Sequence, residues 1–230
     1  ERVSVPGPVQ FVPENRALVD ALKAALPAAA LARLDGLLGE ITFDDAKELN
    51  AAAPAAGCAP ELLRALRAVL RDTFAPTIIA SGIRENVLPG AAKLTVDSRI
   101  LPGATRESAE RALFERIGPD LAPFVTVDSI DVGGAVSNPM DHEILGICAA
   151  AIRARDPEAI VIPAVAPYAT DAKITVPAGI PTYGFSPYLL DPKERFMERF
   201  HGVDERVSLE ALAWGVEVLY DVVLGYAGTR

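Results

Sequence analysis

Cysteine, histidine, methionine and tryptophan are all scarce: the 230 residues hold two cysteines, two histidines, two methionines and one tryptophan. Cys58 and Cys148 cannot frame a disulfide scaffold and stand in no metal-ligand spacing, so they read as reduced core residues of a chain in a reducing, cytoplasmic compartment. Cations are also in deficit, 22 Lys and Arg against 31 Asp and Glu, for a formal charge of −9. A broad nucleic-acid or anionic-lipid surface therefore lacks its electrostatic footprint. No apolar run reaches the ~18 residues of a membrane-spanning helix, and no basic stretch leads into an apolar core and cleavage site. The sequence also has no G-x-S-x-G, P-loop, G-x-G-x-x-G, C-x-x-C or H-E-x-x-H motif. Any imidazole chemistry must come from His142, from His201 or from a group outside the chain.

What is present is a folding composition. Half of the residues are hydrophobic and 23% are charged, which excludes a disordered or low-complexity chain. Leu18, Val19, Leu22 and Leu26 recur at helical spacing between Pro13 and Pro27, predicting a helix over 14–26. Further helices are expected over 30–38 and after Pro60, where Leu62, Leu63, Leu66, Val69 and Leu70 form one stripe. The pattern then shortens to strands at 76–83 and 93–100. In the second, Leu94, Val96 and Ile100 share the packed face while Lys93, Thr95, Asp97 and Arg99 share the other. Thr105 is placed to cap a helix ending at Gly118-Pro119, and a further strand is expected over 124–132.

Gly133-Gly134 and Asn138-Pro139 are the strongest punctuation in the chain, so a domain boundary is placed there, dividing residues 1–136 from 137–230. The second unit reads as a helix over 140–155, a buried strand over 159–165, a short helix over 171–178, a strand over 180–185, and a last helix capped by Ser208. Leu212, Val216, Leu219 and Val223 would be the apolar positions of that helix. This alternation indicates an α/β architecture with parallel neighbours. His142 lies in the first of these helices and reads as structural. His201 lies in the loop FHGVDERV, near Asp204 and Glu205. A neutral imidazole there could coordinate a divalent metal with carboxylates orienting it, or it could be a surface histidine ahead of a helix.

Three ordered strings resemble one family, the M20 metallopeptidases, which include carboxypeptidases, aminoacylases and related amidohydrolases. FAPTIIASGIRENVLPGAAKLTVDSRILPG is similar to the family's strand pair with its N-V-x-P turn and D-x-R-x-L-P-G strand. ATDAKITVPAGIPTYGFSP is similar to its T-D-A helix and G-I-P-x-Y-G-F-x-P, and FHGVDERVSLEAL to its F-H-G-x-D-E-R-V segment. The resemblance implies an α+β sandwich lid that also makes a homodimer, with a helical insertion, over 1–136. The C-terminal part of an α/β zinc-peptidase catalytic domain would follow over 137–230. It further implies two zinc ions, or another divalent metal such as cobalt, with His201 as one ligand. Two such metals polarise the amide carbonyl and activate a bridging water. Asn86 and Arg99 match residues that reach from the lid to the substrate's carboxylate, for which Arg offers a planar pair of donors. The alternatives are a turn residue ahead of Pro89 and a strand charge paired with Asp97. Thr170 and Asp171 match the T-D-A motif and are equally good helix caps; Glu205 would support His201 from behind or stand as a solvated loop acid.

The implied substrate is a peptide or N-acyl amino acid with a free carboxylate. The family's H-x-D motif, its bridging aspartate and its E-E pair with the catalytic base are all absent, because neither histidine is followed two residues later by Asp and no two glutamates are adjacent. Arg2 stands where the lid's oxyanion-steadying histidine would be if Ser4-Val5-Pro6 is the tail of its G-H-x-S-x-P. No catalytic residue is therefore assigned in this chain. The expectation is that these 230 residues alone are an inactive C-terminal portion of a hydrolase, the competing class being a non-catalytic dimerisation or binding module.

Overall fold

The computed structural model describes residues 9–25, 28, 32, 66, 68–128, 133–191 and 199–228. The expected helix over 30–38 apart from Ala32, the residues around Arg2 and the apolar positions Leu62 and Leu63 lie outside them. The element order is α1 (Pro13–Ala25), β1 (Thr73–Ser81), β2 (Ala92–Arg99), α2 (Arg106–Ile117), α3 (Glu143–Arg153), α4 (Ala172–Thr175) and α5 (Leu209–Ala227). A 3-10 turn, Ala122–Phe124, follows α2. Among the described residues no helix is long and apolar enough to cross a membrane.

α1 forms where the 3.6-residue spacing of Leu18, Val19 and Leu22 requires it, and it buries Val19 with Leu66, Val69 and Leu70. Its start is tied to the segment before β1. Asn15 is fully buried and its carboxamide nitrogen donates to the carbonyls of Gln10 (2.8 Å) and Val69 (3.1 Å). Asp72 is also buried and accepts from the Leu101 amide at 2.8 Å, which fastens the beginning of β1 to the end of β2.

β1 and β2 form an antiparallel hairpin, with Thr73 opposite Arg99, Pro76 opposite Val96 and Ile79 opposite Leu94. A bulge between Pro76 and Ile78 resets the side-chain alternation, so Ile79 rather than Ile78 shares a face with Leu94. The predicted faces are present, but the predicted packing is not: Leu94 is 44% exposed and Ile79 76%. Alternation identifies a face, whereas burial needs a neighbouring layer, and the described residues supply one only at the Phe74 end. There the Arg116 guanidinium lies 4.4 Å from the Phe74 ring centroid. Burial lowers the Arg116 pKa, while the nearby Asp72 charge opposes that shift.

α2 begins in a reciprocal cap. The Thr105 hydroxyl accepts from the Ser108 amide at 3.2 Å, and the Ser108 hydroxyl oxygen accepts from the Thr105 amide at 2.9 Å. Glu107 in this first turn is held below the usual carboxylate range, first by its own backbone amide and then by the Thr105 hydroxyl. A depressed folded-state pKa gives stability that is present above the unfolded value and lost as pH falls through the folded one. Thermal midpoints measured from about pH 6 down to about pH 3, spanning the ordinary Glu range, are expected to fall with acid in the wild type. That fall should be smaller in Glu107→Gln, and identical slopes would remove the assignment.

The expected strand over 124–132 is not formed in its described part. Gly118 (φ 85°) ends α2, and the 3-10 turn with Pro123 then occupies the chain up to Phe124. Residues 125–128 carry no ladder. The expected strands over 159–165 and 180–185 likewise have none: the one ladder among the described residues is the β1–β2 hairpin. A β-branched run becomes a strand only when a neighbour completes its hydrogen bonds. At Thr182 that pair of bonds is made by a side chain, with the Asn138 carboxamide accepting from the Thr182 amide and donating to its carbonyl, both at 2.9 Å. The helix expected over 171–178 shortens to four residues because Pro177 cannot continue it.

α3 starts at Glu143 rather than 140, since His142 is an extended N-cap whose Nδ1 accepts from the Ile144 amide at 3.2 Å. Cys148 and Ala151 of α3 pack on Val218 and Val222 of α5. Burial pushes the free Cys148 thiol up, as expected of an inert core cysteine. Ser208 caps α5 by accepting from the Ala211 amide at 3.1 Å. The buried stripe of α5 is Ala211, Gly215, Val218 and Val222, whereas the apolar positions expected from the sequence, Leu212, Val216, Leu219 and Val223, are exposed. Ala211 and Gly215 allow close approach, which larger residues would prevent. Arg155 then pins the pair from the α3 side, reaching Asp221 at 2.5 Å and Glu217 at 3.5 Å.

Candidate functional site

His201 has φ of 58°, the one non-glycine positive value among the described residues. A left-handed turn is uncommon for a residue with a Cβ. It is held by the Gly202 amide donating to the Arg199 carbonyl at 2.9 Å and by the His201 amide donating to Glu205 Oε2 at 3.2 Å. Glu205 thus shapes the main chain at His201, while Asp204 pairs with Arg206. The loop is exposed, and His201 with it.

Thr170 and Asp171 divide the work at the start of α4. Thr170 Oγ1 accepts from the Ala172 amide at 3.2 Å. Asp171 makes no side-chain cap; its carbonyl accepts from the Ile174 amide at 2.8 Å and the Thr175 amide at 3.1 Å. The capping explanation therefore accounts for Thr170 and leaves the exposed Asp171 carboxylate without that role.

Asn86 is the third residue of a turn closed by the Val87 amide on the Arg84 carbonyl at 3.3 Å, at the exposed tip of the hairpin. Arg99 sits at the opposite end of β2, where its Nε donates to Asp97 Oδ2 at 2.9 Å with both side chains partly exposed. At about 3.3 Å per residue, the eight residues of β2 hold the two some 20 Å apart or more, so the hairpin does not bring Asn86 and Arg99 together within one chain. The Arg99–Asp97 pair is worth ~0–1 kcal/mol at such exposure. It engages Nε and leaves the terminal amino groups of the guanidinium fork with no described hydrogen bond.

Among the described residues no three His, Cys, Asp or Glu side chains gather closely enough to hold a metal ion. The described residues therefore do not fit a metal centre by themselves, and His201 could supply at most one ligand of one.

Sequence reasoning missed the network around Thr182, treating Asn138 only as punctuation. Besides the two Asn138 bonds, Thr182 Oγ1 lies 2.5 Å from Thr175 Oγ1, and Tyr183 donates its hydroxyl to the Pro139 carbonyl at 2.5 Å. Burial, with the Asp141 charge second, raises the Tyr183 pKa. The dipeptide Asn-Pro was the only signal for this cluster, and it specifies a turn rather than a partner.

Residues 17–124 match the peptidase dimerisation domain of the M20 family. The chain is 26% identical over 159 residues to the human N-fatty-acyl-amino acid synthase/hydrolase PM20D1, a match covering 68% of this chain and 31% of that protein. It is 30% identical over 154 residues to the Xenopus tropicalis protein of the same name, covering 66% of this chain and 29% of the relative. With the probable carboxypeptidase S-like 2 of Dictyostelium discoideum it shares 24% over 158 residues, covering 69% and 30%. The matched regions thus span about three tenths of these relatives' length. No solved structure matches the chain. Residues 17–124 of the chain are thus a dimerisation domain of the M20 peptidase family.

Proposed function

We propose that these residues are part of a two-zinc hydrolase that cleaves an amide or peptide bond next to a free carboxylate, and that the 230 residues alone are inactive. The carrying observation is the similarity, over about two thirds of the chain, to proteins named as N-fatty-acyl-amino acid synthase/hydrolases and as a carboxypeptidase-like protein. In this reading the lid is residues 1–136 and makes the homodimer, and residues 137–230 complete a catalytic domain. His201 donates one lone pair to a zinc or comparable divalent ion, and Asn86 and Arg99 meet the substrate's carboxylate. Thr170, Asp171 and Glu205 support the site from behind. The separation of Asn86 from Arg99 along the hairpin fits a lid that serves sites in two subunits. The substrate is an N-acyl amino acid, a dipeptide or a longer peptide, and turnover of a panel of these by the complete protein decides among them.

The match of residues 17–124 to a dimerisation domain supports one second reading, a dimerisation or binding module without catalysis. Metal analysis separates the two. In the complete protein His201→Ala is expected to lower bound zinc by about one ion per subunit, since a structural or catalytic zinc needs three or four protein ligands. With metal removed from both proteins the thermal midpoint should hardly differ, because substitution at an exposed site changes stability by about 0.5 kcal/mol or less, so a lower midpoint confined to the metal-loaded protein reports the lost zinc. Unchanged zinc content would remove His201 from the ligand set, and no zinc in either protein, with no turnover, would favour the module.

A further inference from the structure

We infer that Asn138 is a positioning residue for the Thr170–Asp171 turn, acting through a hydrogen-bonded relay that runs from Asn138 through Thr182 and Thr175 to the Asp171 carbonyl. The inference rests on the reading of Asp171 as a residue of the hydrolase site. Each link is short in space and long in sequence. The Asn138 carboxamide grips the Thr182 main chain from both sides, at 2.9 Å each way. Thr182 Oγ1 is 2.5 Å from Thr175 Oγ1, and Thr175 Oγ1 is 3.3 Å from the Asp171 carbonyl, which also accepts the Ile174 and Thr175 amides.

Each hydroxyl has one hydrogen, so only two orderings are self-consistent. In one, Thr182 donates to Thr175 and Thr175 donates to Asp171. In the other, Thr175 donates to Thr182, and Thr182 donates to the Ile180 carbonyl 3.1 Å away. The relay takes the first. It gives Thr175, half-buried in a four-residue helix that Pro177 interrupts, a reason to be a hydroxyl-bearing residue where a better helix former would otherwise serve. It also leaves the Asp171 side chain uncommitted, because the turn is held by the carbonyl.

Asn138 lies at the crossover between the two units. Its neighbour Ser137 donates to Glu14 at the start of α1, and Pro139 accepts from Tyr183. The segment that carries the chain out of the lid is thus bonded, residue by residue, first to α1 and then to Thr182 and Tyr183, from which Thr182 reaches Thr175 and the turn that presents Asp171.

The test is NMR on the 230-residue chain, following the Asp171 carboxylate carbon shift and the amide exchange of Ile174 and Thr175. Asn138→Ala and Thr175→Val are each expected to move the Asp171 signal and to speed exchange of both amides by about tenfold. The double variant should do no more than either single one, since members of one relay are non-additive. Asn138→Gln and Thr175→Ser serve as conservative controls; Thr175→Ser keeps the hydroxyl and should retain the wild-type spectrum, so its contrast with Thr175→Val tests the relay even if Asn138→Ala unfolds. An Asp171 signal unmoved by Thr175→Val, or additive effects in the double variant, would overturn the relay. Turnover by the complete protein is read separately: a relay present without activity would defeat the hydrolase reading alone, and activity without a relay would defeat this inference alone.

Discussion

Replacing Arg99 with alanine in the complete protein is expected to lower kcat/KM at least about 30-fold, or roughly 2 kcal/mol, for substrates that end in a free carboxylate. Esters and amides of the same substrates should be cleaved at nearly the wild-type rate. The magnitude follows from what the residue does in the isolated hairpin. Its pairing with Asp97 is partly exposed and uses Nε, so little folding stability depends on it. A guanidinium fork presented by a strand can meet a carboxylate with two parallel bonds, and a desolvated contact of that kind is worth more than a surface ion pair. Arg99→Lys is expected to recover only part of the loss, because an ammonium cannot reproduce the fork. Equal losses on acids and on their esters would show that Arg99 acts through the lid's structure and not on the substrate's charge.

Gly215→Ala is expected to destabilise the chain by about 1–3 kcal/mol, the usual cost of forcing a group into a filled interior. A Cβ at this position would lie 2.2 Å from the Pro187 carbonyl oxygen, and the obstacle is backbone rather than a side chain that could rotate away. Alanine's advantage over glycine inside a helix, ~1 kcal/mol, works in the opposite direction and is not large enough to offset an overlap between two backbones. At about 2–4 °C per kcal/mol for a chain of this size, calorimetry should show a midpoint several degrees lower. Gly90→Ala is the control, since nothing lies within 4 Å of a Cβ there and its φ is ordinary. A Gly215→Ala protein as stable as the wild type would mean that the Pro187 segment does not sit against α5 as described.

The helices were the most legible part of the fold, for a local reason. Pro13 as the first residue of α1 and the caps Thr105 at α2 and Ser208 at α5 each act within one turn of the helix start, so one stretch of sequence holds the whole cause. The hairpin was legible too, although not the bulge that exchanges Ile78 and Ile79 between its faces. The runs over 159–165 and 180–185 have the composition of strands, but a strand's hydrogen bonds belong to its neighbour, and among the described residues no neighbouring strand completes them.

The site divides in the same way. Motif spelling singled out His201, Arg99, Asn86, Thr170, Asp171 and Glu205, and the first string lies wholly within the dimerisation domain matched at 17–124. The sequence could not reveal that Glu205 holds the His201 main chain, or that Thr170 rather than Asp171 caps α4. Those choices depend on which of several competent oxygens comes within hydrogen-bond reach.

By itself the sequence determined the starts of α1, α2 and α5, the hairpin and the likeness to the M20 dimerisation domain, because capping, alternation and motif order are properties of residues near one another in the chain. Tertiary structure alone decided that α5 buries Ala211, Gly215, Val218 and Val222 instead of the equally apolar stripe one residue further on. Both stripes satisfy helical spacing, and only the small residues let Pro187 and α3 come close enough to exclude water. Asn138 became a structural centre for the same kind of reason: its carboxamide meets Thr182 only after 44 residues of chain have folded back to it.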